Sequence, residues 1–311
     1  MKRTLVIVTY NQDRWRLHML VRSIELYLTK CRIHIVYNEN QGYNEWLKWF
    51  GKTCEPHLKN YKVKTSQKRD YILPEYETHM TDLQKCGWTD QQVLKIAVAQ
   101  TIKTKHYLLL DSKNFFIKPC SVDSIPQINP STIEWCERIL RNWILMCHQE
   151  FGLKFFGTKT QLTANTTPYV VNTDTAKKLI DYFGGIEKFY IWFTTNAVKE
   201  HLSPAEFFLY EIFAKYIDAY EPGDANANIV GFWSFQIEDL GWTLRDYKKL
   251  IIDNQRWQPN ISLSSFHGSL NNHLILEDVK TILRYLNCSL DIIPPGDSPF
   301  NGLHRKLYFD K

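Results

Sequence analysis

The sequence predicts a mostly parallel, Rossmann-like α/β sheet flanked by helices, and three observations carry that expectation. Strand-length apolar runs alternate with helical apolar stripes from Thr4 onward. One run, Tyr107-Leu108-Leu109-Leu110, is apolar without alternation, as in a strand covered on both faces. That run ends in Asp111, with a second run, Phe115-Phe116-Ile117, close behind. An acid at the carboxyl end of a buried strand stands where open α/β sheets receive their ligands.

The elements follow in order. Thr4–Tyr10 is apolar and β-branched and reads as the first strand. Asn11-Gln12-Asp13 is a polar turn in which Asp13 can cap the next helix. Leu17, Leu20, Val21, Ile24 and Leu28 form the stripe of a helix over 15–28. Arg32–Tyr37 is a second strand, Tyr43–Phe50 a short aromatic helix, and Tyr61–Lys64 a third strand within a long polar connection over 51–88. Thr89 and Gln92 stand at capping-box spacing before a helix to Ile102, which feeds the strand ending at Asp111. Pro126 and Pro130 mark a turn. Ser131 and Glu134 open an amphipathic helix to Cys147, and 158–167 is a Thr-rich loop. Pro168–Asn172 reads as a strand, followed by a helix capped by Thr173 or Asp174 that stops at Gly184-Gly185. Ser203-Pro204-Ala205-Glu206 begins a helix to Ile217, and 219–228 is a turn-rich loop. Strands over 229–236 and 261–267, a helix over 277–287 and a Pro/Gly-rich tail complete the chain. No linker divides it. The expectation is one domain over 1–311, with about 1–120 forming a nucleotide-binding half and about 121–311 an acceptor-side half and tail.

Composition narrows the function. With 44% apolar residues, the 311-residue chain can build a sizeable core. A net charge of +5 is short of the footprint of a dedicated nucleic-acid binder, so that partner is not expected. It suits an anionic substrate such as a nucleoside diphosphate, or simply a solvated lysine excess. The 7 cysteines are odd in number and form no C-x-x-C pair, which fits reduced thiols in a cytoplasmic compartment. The apolar run after Met1 is too short for a signal peptide, and no run is long enough for a transmembrane helix.

Asp111-Ser112-Lys113 is the candidate centre. A strand-end carboxylate can hold Mg²⁺ or Mn²⁺, hard ions that take oxygen ligands and bridge phosphates. The usual second acid is replaced by Lys113, which can itself neutralise a diphosphate as a point charge. His267 ends an apolar strand and is either a further metal or phosphate ligand or a polar strand terminus. Tyr10, Asn11 and Asp13 follow the first strand, where a base can stack and a carboxylate can accept from ribose hydroxyls. Gln91, Gln92 and Lys95 lie on the helix before the central strand. Lys95 stands among Val93, Leu94, Ile96 and Val98, and so either snorkels or meets an anion, for which Asp111 is the natural candidate. Glu206 is either a catalytic base for an acceptor hydroxyl or part of a capping box; Glu211 and Asp224 are weaker alternatives. No Walker A, G-x-G-x-x-G, H-E-x-x-H or G-x-S-x-G motif occurs.

These segments carry a resemblance. TLVIVTYNQDRWRLHMLVRSI resembles the opening of GT-A glycosyltransferases, and GWTDQQVLKIAVAQTIKTKHYLLLDSKNFFIKP is similar to the helix–strand–acid segment of that superfamily. LLLDSKNFF, SPAEFFLYEIF and SSFHGS resemble an uncharacterised glycosyltransferase-like family of bacteria and bacteriophages. The resemblance implies a GT-A-like hexosyltransferase that moves a sugar from a nucleotide-diphosphate donor to a glycan or other hydroxyl acceptor. Asp111 then takes the place of the first metal-binding aspartate, Glu206 lies on the acceptor side, and His267 takes the late His position. The departure at Lys113 also fits a catalytically silent relative that binds a nucleotide or glycan.

Overall fold

The computed structural model describes residues 3–77, 87–125, 131–132, 143–153, 161–162, 167–197, 205–221, 229–233, 236, 242–257, 262–267 and 274–300. The strands are β1 (Thr4–Thr9), β2 (Arg32–Tyr37), β3 (Lys62–Gln67), β4 (His106–Asp111), β5 (Asn114–Phe116), β6 (Ser131–Thr132), β7 (Gln161–Leu162), β8 (Tyr169–Asn172), β9 (Ile229–Trp233) and β10 (Leu263–His267). The helices are α1 (Arg14–Tyr27), α2 (Tyr43–Thr53), α3 (Gly87–Ala97), α4 (143–150), α5 (Thr173–Tyr182), α6 (Ile186–Ala197), α7 (Glu206–Tyr216), α8 (Leu244–Trp257) and α9 (Leu276–Tyr285). The main sheet runs β3-β2-β1-β4-β8. Its first four strands are parallel, and β8 closes the edge antiparallel to β4. A second sheet, β5-β10-β9, begins three residues beyond the end of β4.

Strand periodicity divides the core. Successive side chains point to opposite faces, so Leu5, Ile7, Ile33, Ile35, Leu108 and Leu110 pack with α1 and α2 on one side. Val6, Val8, Val36, Tyr107 and Leu109 pack with α3, α5, α6 and α7 on the other. The parity of β4 therefore sends Asp111 to the same face as Tyr107 and Leu109, beneath α3. Phe115, Phe232 and Phe266 of the second sheet join α8 and α9 in a third apolar cluster.

Several local expectations are corrected. The expected third strand at Tyr61–Lys64 is present but runs longer, as β3, and the described part of 51–88 also holds the end of α2 and three short 3-10 turns. Thr89 and Gln92 do not cap α3, which starts two residues earlier at Gly87. Residues 131–132 pair with β7 as a strand and do not begin a helix. The cap of α5 is Asn172, whose side chain accepts from Asp174 and Thr175 N–H at 3.1 and 3.2 Å. Asp13 sits at the start of α1 without capping it through its side chain. The sequence reading passed over α6 and α8. Pro126, Pro130, Glu134, Ser203, Pro204 and Asp224 lie outside the described residues. Among the described residues no helix is long and apolar enough to cross a membrane.

Leu109 is fully buried at the centre of the α3 face. Leu109→Ala is expected to lower unfolding free energy by about 2–5 kcal/mol. Urea denaturation checks this: the midpoint should fall with the slope unchanged.

Candidate active site at the carboxyl ends of β1 and β4

From β1 the chain steps outward through β2 to β3, then returns to place β4 on the other side of β1. The reversal leaves a crevice outside the carboxyl ends of β1 and β4, the position at which open α/β sheets take ligands. Tyr10, Asn11 and Asp13 lie on one side of it and Asp111, Ser112 and Lys113 on the other. The Ser112 hydroxyl donates to the Asp13 carboxylate, tying the two strand ends together. Arg16 also meets Asp13, at 3.3 Å, so Asp13 helps hold the base of the crevice together. Burial, and then the neighbouring Asp13 carboxylate, raise the Tyr10 phenol above its ordinary pKa. Asn11 is exposed and its N–H donates to Glu39 at 2.8 Å.

Asp111 is buried and both its oxygens are engaged. Oδ1 lies 2.9 Å from the Lys95 ammonium and accepts from Gln91 at 3.4 Å. Oδ2 lies 3.1 Å from Lys113 and accepts from the Thr167 hydroxyl at 3.2 Å. Asn114 Oδ1 accepts the Asp111 N–H at 2.7 Å and a Thr167 hydroxyl contact at 2.8 Å, fixing the turn after β4. Lys95, the lone charge on an apolar helix, thus meets the anion its surroundings require. It also pairs with Glu206 Oε1 at 2.9 Å and lies over the Phe207 ring, 5.1 Å from its centroid. Gln92 anchors the same helix end, accepting the Glu206 N–H at 3.2 Å, while its own buried amide nitrogen has no partner among the described residues.

Burial alone would push Asp111 up, but the Lys95 and Lys113 ammonium groups outweigh it and hold the carboxyl well below the usual range. Burial alone would push Lys95 down, but Asp111 and Glu206 outweigh it and hold the ammonium above its ordinary value. Both groups are therefore charged at neutral pH. Lys113 differs in being partly exposed, with 29% of its side chain open against 6% for Lys95.

Of the two residues expected to hold a divalent ion, Mn²⁺ or Mg²⁺, only Asp111 has a described side chain, and its surroundings do not fit one. Such an ion sits roughly 2.0–2.6 Å from its oxygen ligands, and beside either Asp111 oxygen it would face an ammonium group at contact distance. Among the described residues no three His, Cys, Asp or Glu side chains converge to hold a metal. His267 ends β10 opposite Trp233, and its side chain lies outside the described residues. Of the weaker alternatives, Glu211 is fully buried and paired with Lys215 at 3.1 Å.

The sequence reading also missed part of this edge. Lys68, at the end of β3, is buried against Asp90 at 2.6 Å and against Glu77, and Tyr190 donates to Asp90 at 2.8 Å. Burial raises the Asp90 carboxyl despite Lys68. Nothing in the polar stretch around Lys68 marks it as interior. Thr167 likewise carries no local signal, whereas Asn114, three residues after Asp111, was within reach of a reading of the turn.

The chain belongs to a family of unknown function, DUF6492, whose match spans residues 4–228. No curated protein matches it. Among solved structures it is similar to mouse xyloside xylosyltransferase 1 in its apo form, at 11% identity over 87% of this chain and 99% of that one, with a TM-score of 0.47. It is also similar to the galactosyltransferase LgtC in complex with donor and acceptor sugar analogues, at 10% identity over 91% and 95% of the two chains, TM-score 0.41. A third likeness is to the glycosyltransferase GlyE of Streptococcus pneumoniae TIGR4 in its apo form, at 11% identity over 94% of this chain and 62% of that one, TM-score 0.46.

Removing Lys95 leaves the buried Glu206 carboxylate without its lysine and Asp111 with Lys113 alone. Lys95→Ala is expected to cost about 3–5 kcal/mol, the usual result of breaking a buried pair. The Asp111 contribution has a defined sign with pH. Its folded-state pKa is depressed, so its stabilisation is present above the unfolded value near 3.9 and lost as pH falls further. The stability gap between wild type and Asp111→Asn should therefore be flat from about pH 5 to 9 and shrink below about pH 4. Urea titrations of both proteins across that range check it.

Proposed function

We propose that this chain is a glycosyltransferase that moves a sugar from a nucleotide-diphosphate donor to a glycan or other hydroxyl acceptor. The observation that carries the reading is Asp111 at the switch-point crevice, anchored by buried Lys95 and facing partly exposed Lys113. Residues of about 1–120 supply the nucleotide side in this proposal: Tyr10 offers a stacking face, and Asn11, Gln91 and Gln92 offer polar contacts. Residues after about 121 supply the acceptor side.

In the transfer, the bond between the anomeric carbon and the diphosphate oxygen breaks, and its electron pair leaves with the nucleoside diphosphate. Charge builds on that oxygen. The Lys113 ammonium is the exposed cation able to offset it, a task that a preorganised charge performs without reorganisation. Asp111, itself held by Lys95, holds Lys113 in place. The acceptor oxygen bonds to the anomeric carbon and gives up its proton. Glu206 is the proposed base, and because Lys95 occupies its Oε1, that role requires the free oxygen; otherwise Glu206 is a positioning residue for Lys95. His267, at the end of β10, is proposed as a phosphate contact.

A second reading is a catalytically inactive relative that binds a nucleotide or glycan. It is favoured by one observation: Asp111 already has a partner on each oxygen.

Donor turnover separates the two. Wild type should hydrolyse or transfer one nucleotide sugar, Asp111→Asn should lose that activity while keeping its circular dichroism, and Lys113→Ala should lose about 10²–10³-fold in kcat. Donor binding without turnover across a broad acceptor panel would move the assignment to the inactive binder. Because the lysine stands where a metal would, EDTA should leave turnover unchanged; a loss restored by Mn²⁺ would overturn that part. A thermal-shift panel names the donor, since a nucleotide at 100 times its dissociation constant adds roughly 2.7 kcal/mol of stability.

A further inference from the structure

At the opposite edge of the main sheet, the amino ends of β1, β2 and β3 surround a cavity of about 340 Å³. Its size falls at the lower end of the range for small-ligand sites. Four cationic residues line it, Arg3, Lys30, Arg32 and Lys62, against a single carboxylate, Asp123. Asp123 is already committed, its Oδ1 accepting the Arg3 backbone N–H at 2.7 Å. The Arg3 guanidinium is anchored by the carbonyl oxygens of Val122, at 3.3 Å, and Ile125. Lys30, Arg32 and Lys62 make no ion pair among the described residues and are exposed.

The sheet register sharpens the point. Arg32 and Lys62 are directly paired residues on the neighbouring strands β2 and β3. Registered neighbours share a face, and like charges so placed repel. An anion in the cavity would convert that repulsion into charge-assisted hydrogen bonds. Asn60 and Thr29 add neutral polar groups on the same wall.

We propose that this cavity is a phosphate-binding site, distinct from the Asp111 crevice, that takes a phosphate or diphosphate group through Arg32, Lys62 and Lys30. It does not depend on the glycosyltransferase reading, because the two sites lie at opposite ends of the same parallel strands. The group could be carried by a soluble phosphate compound or by an anionic lipid headgroup; the chemistry is shared and the experiment distinguishes the sources.

The test uses the whole chain with two probes: inorganic pyrophosphate by calorimetry, and sedimentation with phosphatidylcholine vesicles with and without phosphatidic acid. Saturable pyrophosphate binding by wild type identifies a soluble ligand; binding only to phosphatidic acid vesicles identifies a headgroup. In either case Arg32→Glu and Lys62→Glu should weaken binding at this cavity by about tenfold or more; Lys113→Ala can remove only a second pyrophosphate site at the crevice and should leave the cavity's binding step in place. Should charge reversal unfold the chain, Lys62→Gln serves instead. Relieved of repulsion, it should melt at or above the wild-type temperature and lose the pyrophosphate-induced rise. The proposal is overturned if wild type binds neither probe saturably, if the Arg32 and Lys62 variants bind as wild type does, or if Lys113→Ala abolishes binding.

Discussion

The buried contact between Lys95 and Asp111 is the interaction on which the rest of the site depends. An isolated charge in that interior would be expelled or neutralised. Two acids, Asp111 and Glu206, and two lysines, Lys95 and Lys113, instead balance one another on the α3 face of the sheet. Because breaking such a cluster strands a charge, each member fixes the others more firmly than a hydrogen bond between neutral groups would. The strand that ends at Asp111, the helix that carries Lys95 and the helix that opens with Glu206 are thereby held in one relative position.

The same balance leaves Lys113 as the lysine of this cluster with an open side. Lys95 is enclosed by two carboxylates and an aromatic ring. Lys113 touches Asp111 on one side and is partly open on the other. A group that is both anchored and partly exposed can meet an incoming anion without being reoriented first. Along the same edge, Lys68 with Asp90 and Glu77 repeats the buried-lysine device at the end of β3, so two of the four parallel strands finish in a buried charge cluster.

Sequence alone made the architecture legible where period and burial agree. The runs of β1, β2 and β4 are unambiguous, and the acid at the end of β4 stands out, but the face on which Asp111 lies shows only once the helices are placed. Lys95 was visible because a charge in an apolar helix demands a partner. Capping was read less well: Thr89-x-x-Gln92 has the spacing of a cap, yet Gln92 serves tertiary contacts and α3 begins before it. Glu206 had two local readings, and the packing of α7 against α3 adds a third, an ion pair that no window of sequence around it contains. The 3-10 turns and Lys68 were missed because a buried charge in a polar stretch leaves no periodic trace. The helix α6 was missed because its aromatic run, IEKFYIWF, lacks a clean polar face.

The Lys95–Glu206 pair spans 111 residues of chain. During synthesis at about 5–20 residues per second, the helix carrying Lys95 therefore waits on the order of ten seconds for its second carboxylate to be made. In that interval β1 to β4 can already pair, since their strands are complete, and Asp111 is the only acid of the cluster available to Lys95. The first part of the chain can thus order around one ion pair while the surface that will receive α7 is still bare. A nascent chain paused before Glu206 has α5 and α6 to cover most of the α3 face, and leaves bare only the apolar strip that α7 will fill.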